Sequence, residues 1–237
     1  MDKIENFIEL CEKIDNVVYT NYFYPMSQIK KIQIKHIDFI LKGINEESEK
    51  KLIAFTPKNY PREYISFPVK FFKIVKKSKF ISLEHKHYLG TILSLGIKRE
   101  ILGDLIVKNE ICYGIIIDNM FEFLKNNLIK INSSPVEVIE IEEIEVPISE
   151  FEEINITVSS ARLDVIVAEL ANLSRTLAVE HVDLGYVQVN YEIEREKDFK
   201  LNVGDIIIIK KVGKFIFYED KGLSKKNKMK LLIKKYI

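Results

Sequence analysis

Residues 162–213 read RLDVIVAELANLSRTLAVEHVDLGYVQVNYEIEREKDFKLNVGDIIIIKKVG, and the succession of patterns in this stretch decides how the chain is understood. Leu163, Ile166, Val167 and Leu170 recur at helical spacing behind Ser159-Ser160, which can cap a short helix. Ser174 opens a second helix, with Leu177, Ala178, His181 and Val182 expected on its inner face and Gly185 at the left-handed position that ends it. Val187 and Val189 then alternate with Gln188 and Asn190 as a strand. Gly204-Asp205 turns into the apolar strand Ile206 to Ile209, and Lys214 to Phe217 returns as another. Arg162 and Arg175 fall at or near the starts of the two helices, where exposed amides and the helix dipole already favour phosphate oxygens. The expected product is a small module with one basic, RNA-facing edge.

Outward from this stretch, charge is distributed very unevenly. The 237 residues carry a formal net charge of only +1. Yet residues 137–153 hold eight glutamates and no basic residue, while the segment after Ile209 holds ten lysines against Glu219 and Asp220. A near-neutral total thus hides a basic face of the kind that binds nucleic acid. Hydrophobic residues make up 47% and charged residues 30%, which is the composition of a globular chain with a sizeable core. Cys11 and Cys112 stand alone, so neither a disulfide framework nor a zinc site is expected. The first residues break their apolar positions with charges, and no run of about 18 apolar residues occurs. A cytoplasmic protein without membrane contact is expected by elimination.

The segment 1–70 reads as an α/β domain. Ile4, Phe7, Ile8, Cys11 and Ile14 predict an amphipathic helix, and Ile29, Ile32, Ile34, Ile37, Ile40 and Leu41 predict a second one closed by Gly43. Lys51 to Phe55 and Tyr64 to Val69 read as short strands. Over 71–150 the order is informative: strand Phe71 to Val75, helix Leu83 to Leu95 between Ser82 and Gly96, a hairpin of Asp104 to Val107 with Ile111 to Ile117, a helix from Asp118 to about Ile129, and a strand Val136 to Ile144. This β-α-β-β-α-β succession is the ferredoxin-like order shared with RNA-recognition folds. Ile111-Cys112-Tyr113-Gly114 supplies only one ring where such folds stack bases. Lys98 and Arg99, just past the glycine that ends a helix, can project together at a polyanion. His85 and His87 point to different helix faces and make a poor metal pair. The Glu-rich stretch reads as a half-buried edge strand and linker. Residues 221–237 read as a Lys-rich tail, either a fraying helix or an extension of a phosphate-tracking face.

Taken together, Arg162-Leu163-Asp164, Ser174-Arg175, Gly185-x-Val187-x-Val189-Asn190 and Gly204-Asp205 resemble the S4 RNA-binding domain in order and spacing. With Gly213-Lys214-Phe215 and the middle stretch HKHYLGTILSLGIKREILGD, the chain is similar to the YlmH-type family. The resemblance implies an α+β chain: an N-terminal domain (1–70), a central RRM-like domain (71–150) and an S4 domain (157–220, of αL type). It implies RNA contacts at Arg162 and Arg175, with Lys214, Asn190, Lys98 and Arg99 as further candidates. It also implies binding to rRNA of the obstructed large ribosomal subunit and to peptidyl-tRNA. The activity supported there is quality control of stalled nascent chains by C-terminal alanine tailing, and an elongation factor of that pathway is a candidate partner. An association with cell division also attaches to the family. The chain departs from it at His85-Lys86-His87, where members show His-Arg-Asp, and at Tyr191, where a glycine usually follows the Asn190 position.

No glycine-rich cofactor loop, paired catalytic carboxylates or activated nucleophile is evident, so neither catalysis nor a cofactor is expected. The rival readings are an RNA-modifying enzyme of the pseudouridine-synthase type, or an accessory to one, and a cell-division scaffold whose RNA binding is incidental. A surface ion pair of Arg162 with Asp164 or Glu169 is the bland alternative at the main candidate site.

Overall fold

In a computed structural model, which describes residues 4–77 and 82–237, the chain divides into two compact units, Met1–Ile148 and Ser149–Ile237. The first unit opens with helix α1 (Ile4–Ile14), which buries Phe7 and Cys11. Its first sheet is built on β4 (Lys50–Pro57). One edge of β4 pairs with β1 (Val18–Tyr19) and β2 (Tyr24–Pro25), and β3 (Ile37–Lys42) also pairs with it, all antiparallel. The buried Thr20 ties the β1 end to this strand: its amide donates to Ile53 O and its hydroxyl accepts from Ile53 N.

The second helix expected over Ile29 to Leu41 is not formed. Helix α2 spans only Met26–Ile29, and Ile37–Lys42 is strand β3. Isoleucines dominate this run, and their β-branched side chains fit a pleated surface at least as well as a helix. Pairing with β4 decides the outcome. Tyr64 to Val69 likewise forms no strand of its own. A single 3₁₀ turn covers Arg62–Tyr64 between Pro61 and Pro68, which lack the amide a ladder needs, and regular pairing begins at Val69.

From there the expected order appears: β5 (Val69–Lys76), α3 (His85–Ser94), β6 (Leu102–Lys108), β7 (Ile111–Ile117), α4 (Phe121–Asn127), a short β8 (Lys130–Ile131) and β9 (Ser134–Ile141). The sheet order is β6-β7-β5-β9-β8 with every pairing antiparallel. Hairpin β6–β7 closes through Asn109 and Glu110, both left-handed at φ 50° and 63°, the geometry of a type I′ turn. One sheet face, with Phe72, Ile74, Leu105, Cys112 and Ile116, packs against Tyr88 and Ile92 of α3 and Phe121 and Leu124 of α4. The other face is also covered: Phe71, Ile115, Ile117 and Ile141 pack with Phe23, Ile44 and Leu52 from the N-terminal segment.

The second unit is a six-stranded antiparallel sheet with two helices on one face. Its elements are β10 (Phe151–Val158), α5 (Leu163–Leu170), α6 (Arg175–Asp183), β11 (Val187–Val189), β12 (Glu192–Ile193), β13 (Ile206–Ile209), β14 (Gly213–Leu223) and β15 (Met229–Tyr236). The sheet order is β10-β15-β14-β13-β11-β12. Leu163, Ile166 and Val167 of α5 and Ala178 and Val182 of α6 share one core with Val187, Val189, Ile207, Ile209, Phe215, Phe217, Leu231 and Ile233. Three expectations are corrected here. The helix N-cap is Arg162 rather than Ser159-Ser160. Leu177 is exposed instead of facing inward, and His181 is half-buried. The Lys-rich C-terminus is no helix: β15 sits between β10 and β14. Glu152 lies opposite Lys235 and Glu153 opposite Lys234, so part of the acidic stretch forms a strand beside the basic end.

Candidate nucleic-acid interface

Arg162 and Arg175 stand at the N-termini of α5 and α6, and one carboxylate holds both. Arg162 donates from Nε to Asp164 Oδ1 at 3.0 Å and from Nη2 to Oδ2 at 3.3 Å. Arg175 donates from Nε to Oδ2 at 3.1 Å. The Asp164 side chain is 2% exposed, against 36% for Arg162 and 61% for Arg175. Burial alone would push this carboxyl up, but the hydrogen bonds from Arg162 and Arg175 outweigh burial and hold it below the usual carboxylate range. The Asp164 amide is satisfied separately by Lys197 O at 3.0 Å. The acid is therefore an internal post, and the two guanidinium groups are displayed from it.

Local sequence explains why the post forms. Asp164 lies on the buried side of α5 beside Leu163 and Val167, a position where a carboxylate survives only when paired. Ser174 Oγ accepts from Leu177 N at 3.3 Å, which fixes the first turn of α6 and with it the root of Arg175. Arg162, Asp164, Arg175, Thr176, Val179 and the exposed Lys197 line a shallow depression of 390 Å³. Donors fixed in direction by a buried acid suit the non-bridging oxygens of phosphate. Asp164 and Lys197 were missed as site residues. An acid placed in the apolar stripe of α5 was the available signal for the first, while nothing local marks the second.

The other expected site residues lie elsewhere. Lys214 is opposite Ile208, so it points from the sheet face that does not carry α5 and α6. Its ammonium lies 5.1 Å from the Tyr191 ring centroid and 4.6 Å from that of Tyr236. Asn190 engages both ends of its amide inside the unit, donating to Asp205 Oδ1 at 2.8 Å and accepting from Ile206 N at 3.2 Å. It joins two turns, and the hairpin it opens keeps type I′ geometry although Tyr191 replaces the glycine.

Lys98 and Arg99 belong to the first unit. Lys98 is exposed, whereas Arg99 folds back and donates from Nη1 to the carbonyls of Leu102 and Gly103, both at 3.2 Å. Lys50 Nζ donates to Arg99 O at 3.1 Å, and Asp104 Oδ2 accepts from the amides of Glu49 and Lys50. Burial, then the Arg99 charge, lowers the pKa values of both Lys50 and His85. His87 closes the first turn of α3, its Nδ1 accepting from Glu84 N at 3.0 Å. Cys11 and Cys112 are buried, and burial pushes both thiols up. Among the described residues, no group of three or more His, Cys, Asp or Glu could hold a metal ion, and no helix is long and apolar enough to cross a membrane.

Residues 62–145, which contain the whole β5-to-β9 sheet, match the family described as "Putative RNA-binding domain in YlmH". The chain is also 24% identical over 197 residues to ribosome-associated protein quality control protein P2 of Bacillus subtilis (strain 168), covering 82% of this chain and 77% of that one. Both comparisons show the chain to be similar to the YlmH-type RNA-binding family. A solved structure, cell division protein ylmH from Streptococcus pneumoniae, is 25% identical, with a TM-score of 0.49 over 61% of this chain and 96% of that one. The match to the YlmH domain falls on the first unit, while the paired arginines lie in the second.

Proposed function

We propose that this protein is a non-enzymatic RNA-binding factor that engages the large ribosomal subunit and peptidyl-tRNA during quality control of stalled nascent chains, where it supports alanine tailing. The observation that carries this reading is the buried Asp164 holding Arg162 and Arg175 outward together. A bland surface pair would leave the acid exposed as well. The name of the Bacillus subtilis relative and the RNA-binding description of the matched family support the ribosomal setting. In this reading the second unit acts as an S4 domain and residues 71–150 as an RRM-like domain. Because Phe71, Ile115, Ile117 and Ile141 are covered, the central sheet face is not the RNA surface, and Lys98 beside α3 contributes a peripheral phosphate contact. A quality-control elongation factor on the same subunit is a proposed partner, and a cytoplasmic location follows from the ribosomal one.

Arg175→Glu tests this directly. The fold is expected to survive with a modest loss of stability, because Arg162 still donates twice to Asp164 and the side chain at 175 is mostly exposed. It is expected to lose co-sedimentation with large ribosomal subunits, and the slope of log affinity against log salt should shrink by about one or more. Wild-type sedimentation at moderate salt would overturn the arginine-pair reading. Crosslinking in cells followed by RNA sequencing should recover tRNA together with large-subunit rRNA. Recovery of a single modified site would favour the enzyme reading, and recovery of no RNA the scaffold.

A further inference from the structure

The six-stranded sheet of the second unit has a second face, opposite α5 and α6, and this face carries a pattern unlike a plain solvated surface. Strand alternation puts Phe151, Lys214, Ile216, Lys234 and Tyr236 on it, since their neighbours Phe215, Phe217 and Ile233 enter the core. The Phe151 and Tyr236 rings meet edge to face at 4.8 Å. Lys214 lies over Tyr236 and Tyr191, and Lys234 lies 3.4 Å from the Tyr218 ring centroid. Ile206, Ile208 and Ile216 lie half-buried between these groups. Glu153 is the carboxylate near Lys234, at 4.0 Å.

A second, independent observation is backbone strain. Tyr191 adopts φ 71° at the second centre of a type I′ turn, where glycine is strongly preferred and a bulky residue is a genuine outlier. The chain holds a strained turn, and the result is a ring against Lys214. Glu110 takes the same position of the β6–β7 turn at φ 63°, so the weight here falls on where the Tyr191 ring lies, against Lys214. Rings interleaved with lysines on a half-buried sheet face, with Tyr218 exposed, are the chemistry of a stacking platform: bases lie on the rings while ammonium groups meet the phosphates between them. A base stacked on one of these rings brings its phosphates within reach of the neighbouring lysines.

We infer that this sheet face binds unpaired RNA nucleotides, as a contact separate from the arginine pair on the helical face. The inference rests on the RNA-binding reading above and adds a ligand class to it: single-stranded RNA here, folded RNA at Arg162 and Arg175.

The sequence contains no tryptophan, so Tyr218→Trp introduces a single indole reporter while keeping an aromatic surface. In the full-length protein this emission should be quenched by a 12-nucleotide single-stranded RNA and remain unchanged with a blunt RNA duplex. In a parallel anisotropy titration with the two RNAs, the double variant Tyr191→Gly/Tyr218→Leu should lose single-strand affinity by roughly fivefold to more than a hundredfold per stacked base and keep duplex affinity. Tyr191→Gly relieves strain, so the melting temperature should not fall. Arg175→Glu should show the reverse selectivity, with duplex binding lost and the indole still quenched by the single strand. Unchanged single-strand affinity of the double variant, or an unquenched indole, overturns the platform while leaving the arginine site standing. Self-association of the wild type that the double variant abolishes, without any RNA effect, overturns it in favour of a second copy of this chain. Loss of duplex binding in Arg175→Glu, with both sheet-face readouts silent, likewise overturns the platform and leaves the arginine site standing.

Discussion

Asp164 illustrates how one residue can organise a surface without being part of it. Its side chain is almost fully buried, yet it remains charged because two guanidinium groups donate to it. Removing the charge should loosen both arginines, each of which would then have to be ordered during binding. Asp164→Asn is therefore expected to weaken stem-loop RNA binding by about tenfold while leaving the outline of the fold in place. The pH dependence has a defined sign. The folded pKa lies below the unfolded value, so the stabilisation is fully present above the ordinary Asp pKa of about 4 and is lost as pH falls through the lower folded value. Melting temperatures from pH 7 to pH 3 should fall at the acid end more for the wild type than for Asp164→Asn. Arg162 and Arg175 were legible from helix starts and family spacing. Asp164 was legible as a surface partner of Arg162, but its burial and its hold on Arg175 were not.

At the scale of single elements, local signals succeeded where they also met a local constraint. Hairpin β6–β7 and the Ser174 cap are fixed by neighbours within a few residues, and they appear where expected. The run from Ile29 to Leu41 failed because isoleucine serves both periods, and the decision came from β4, several residues downstream. Gly114 on β7 shows how closely an element can be fitted to its neighbours. A methyl group there would come within 2.3 Å of the Phe72 ring and 2.8 Å of Leu105, side chains on the two flanking strands. Phe72 is completely buried and has no free volume to enter. Gly114→Ala should destabilise the first unit by about 1–3 kcal/mol, read as a lower denaturation midpoint with an unchanged m-value.

For the molecule as a whole, the largest difference concerns its C-terminal end. Residues 221–237 read as a tail, but the end of β14 and all of β15 lie there, and β15 bridges β10 to the rest of the second sheet. Leu231, Leu232 and Ile233 are buried, and at about 1.5–3 kcal/mol each they contribute roughly 5–9 kcal/mol. That is comparable to the entire stability of a typical domain. Truncation after Leu223 should consequently unfold the second unit and abolish binding of both folded and single-stranded RNA. Limited proteolysis would detect this as rapid cleavage within 149–223 while fragments of the first unit persist. A truncated protein that retains protease resistance and RNA binding would restore the tail to a peripheral role.

By itself the sequence determined the order of helices and strands through the middle part and from α5 to the start of β14, the helix starts near Arg162 and Arg175, and the uneven charge that favours an anionic partner. These are local properties, set by periodicity, caps and turn residues a few positions apart. Beyond the β6–β7 hairpin, only the tertiary structure decided which strands meet. Apolar strands rich in Ile, Leu and Val offer many near-equivalent pairings, and the choice among them depends on a core assembled from distant segments. That choice places Glu152 and Glu153 opposite the C-terminal lysines and covers one face of the central sheet. It also leaves Lys214 among aromatic rings on the face away from α5 and α6, and brings Asp164 between two arginines eleven or fewer residues from it along the chain.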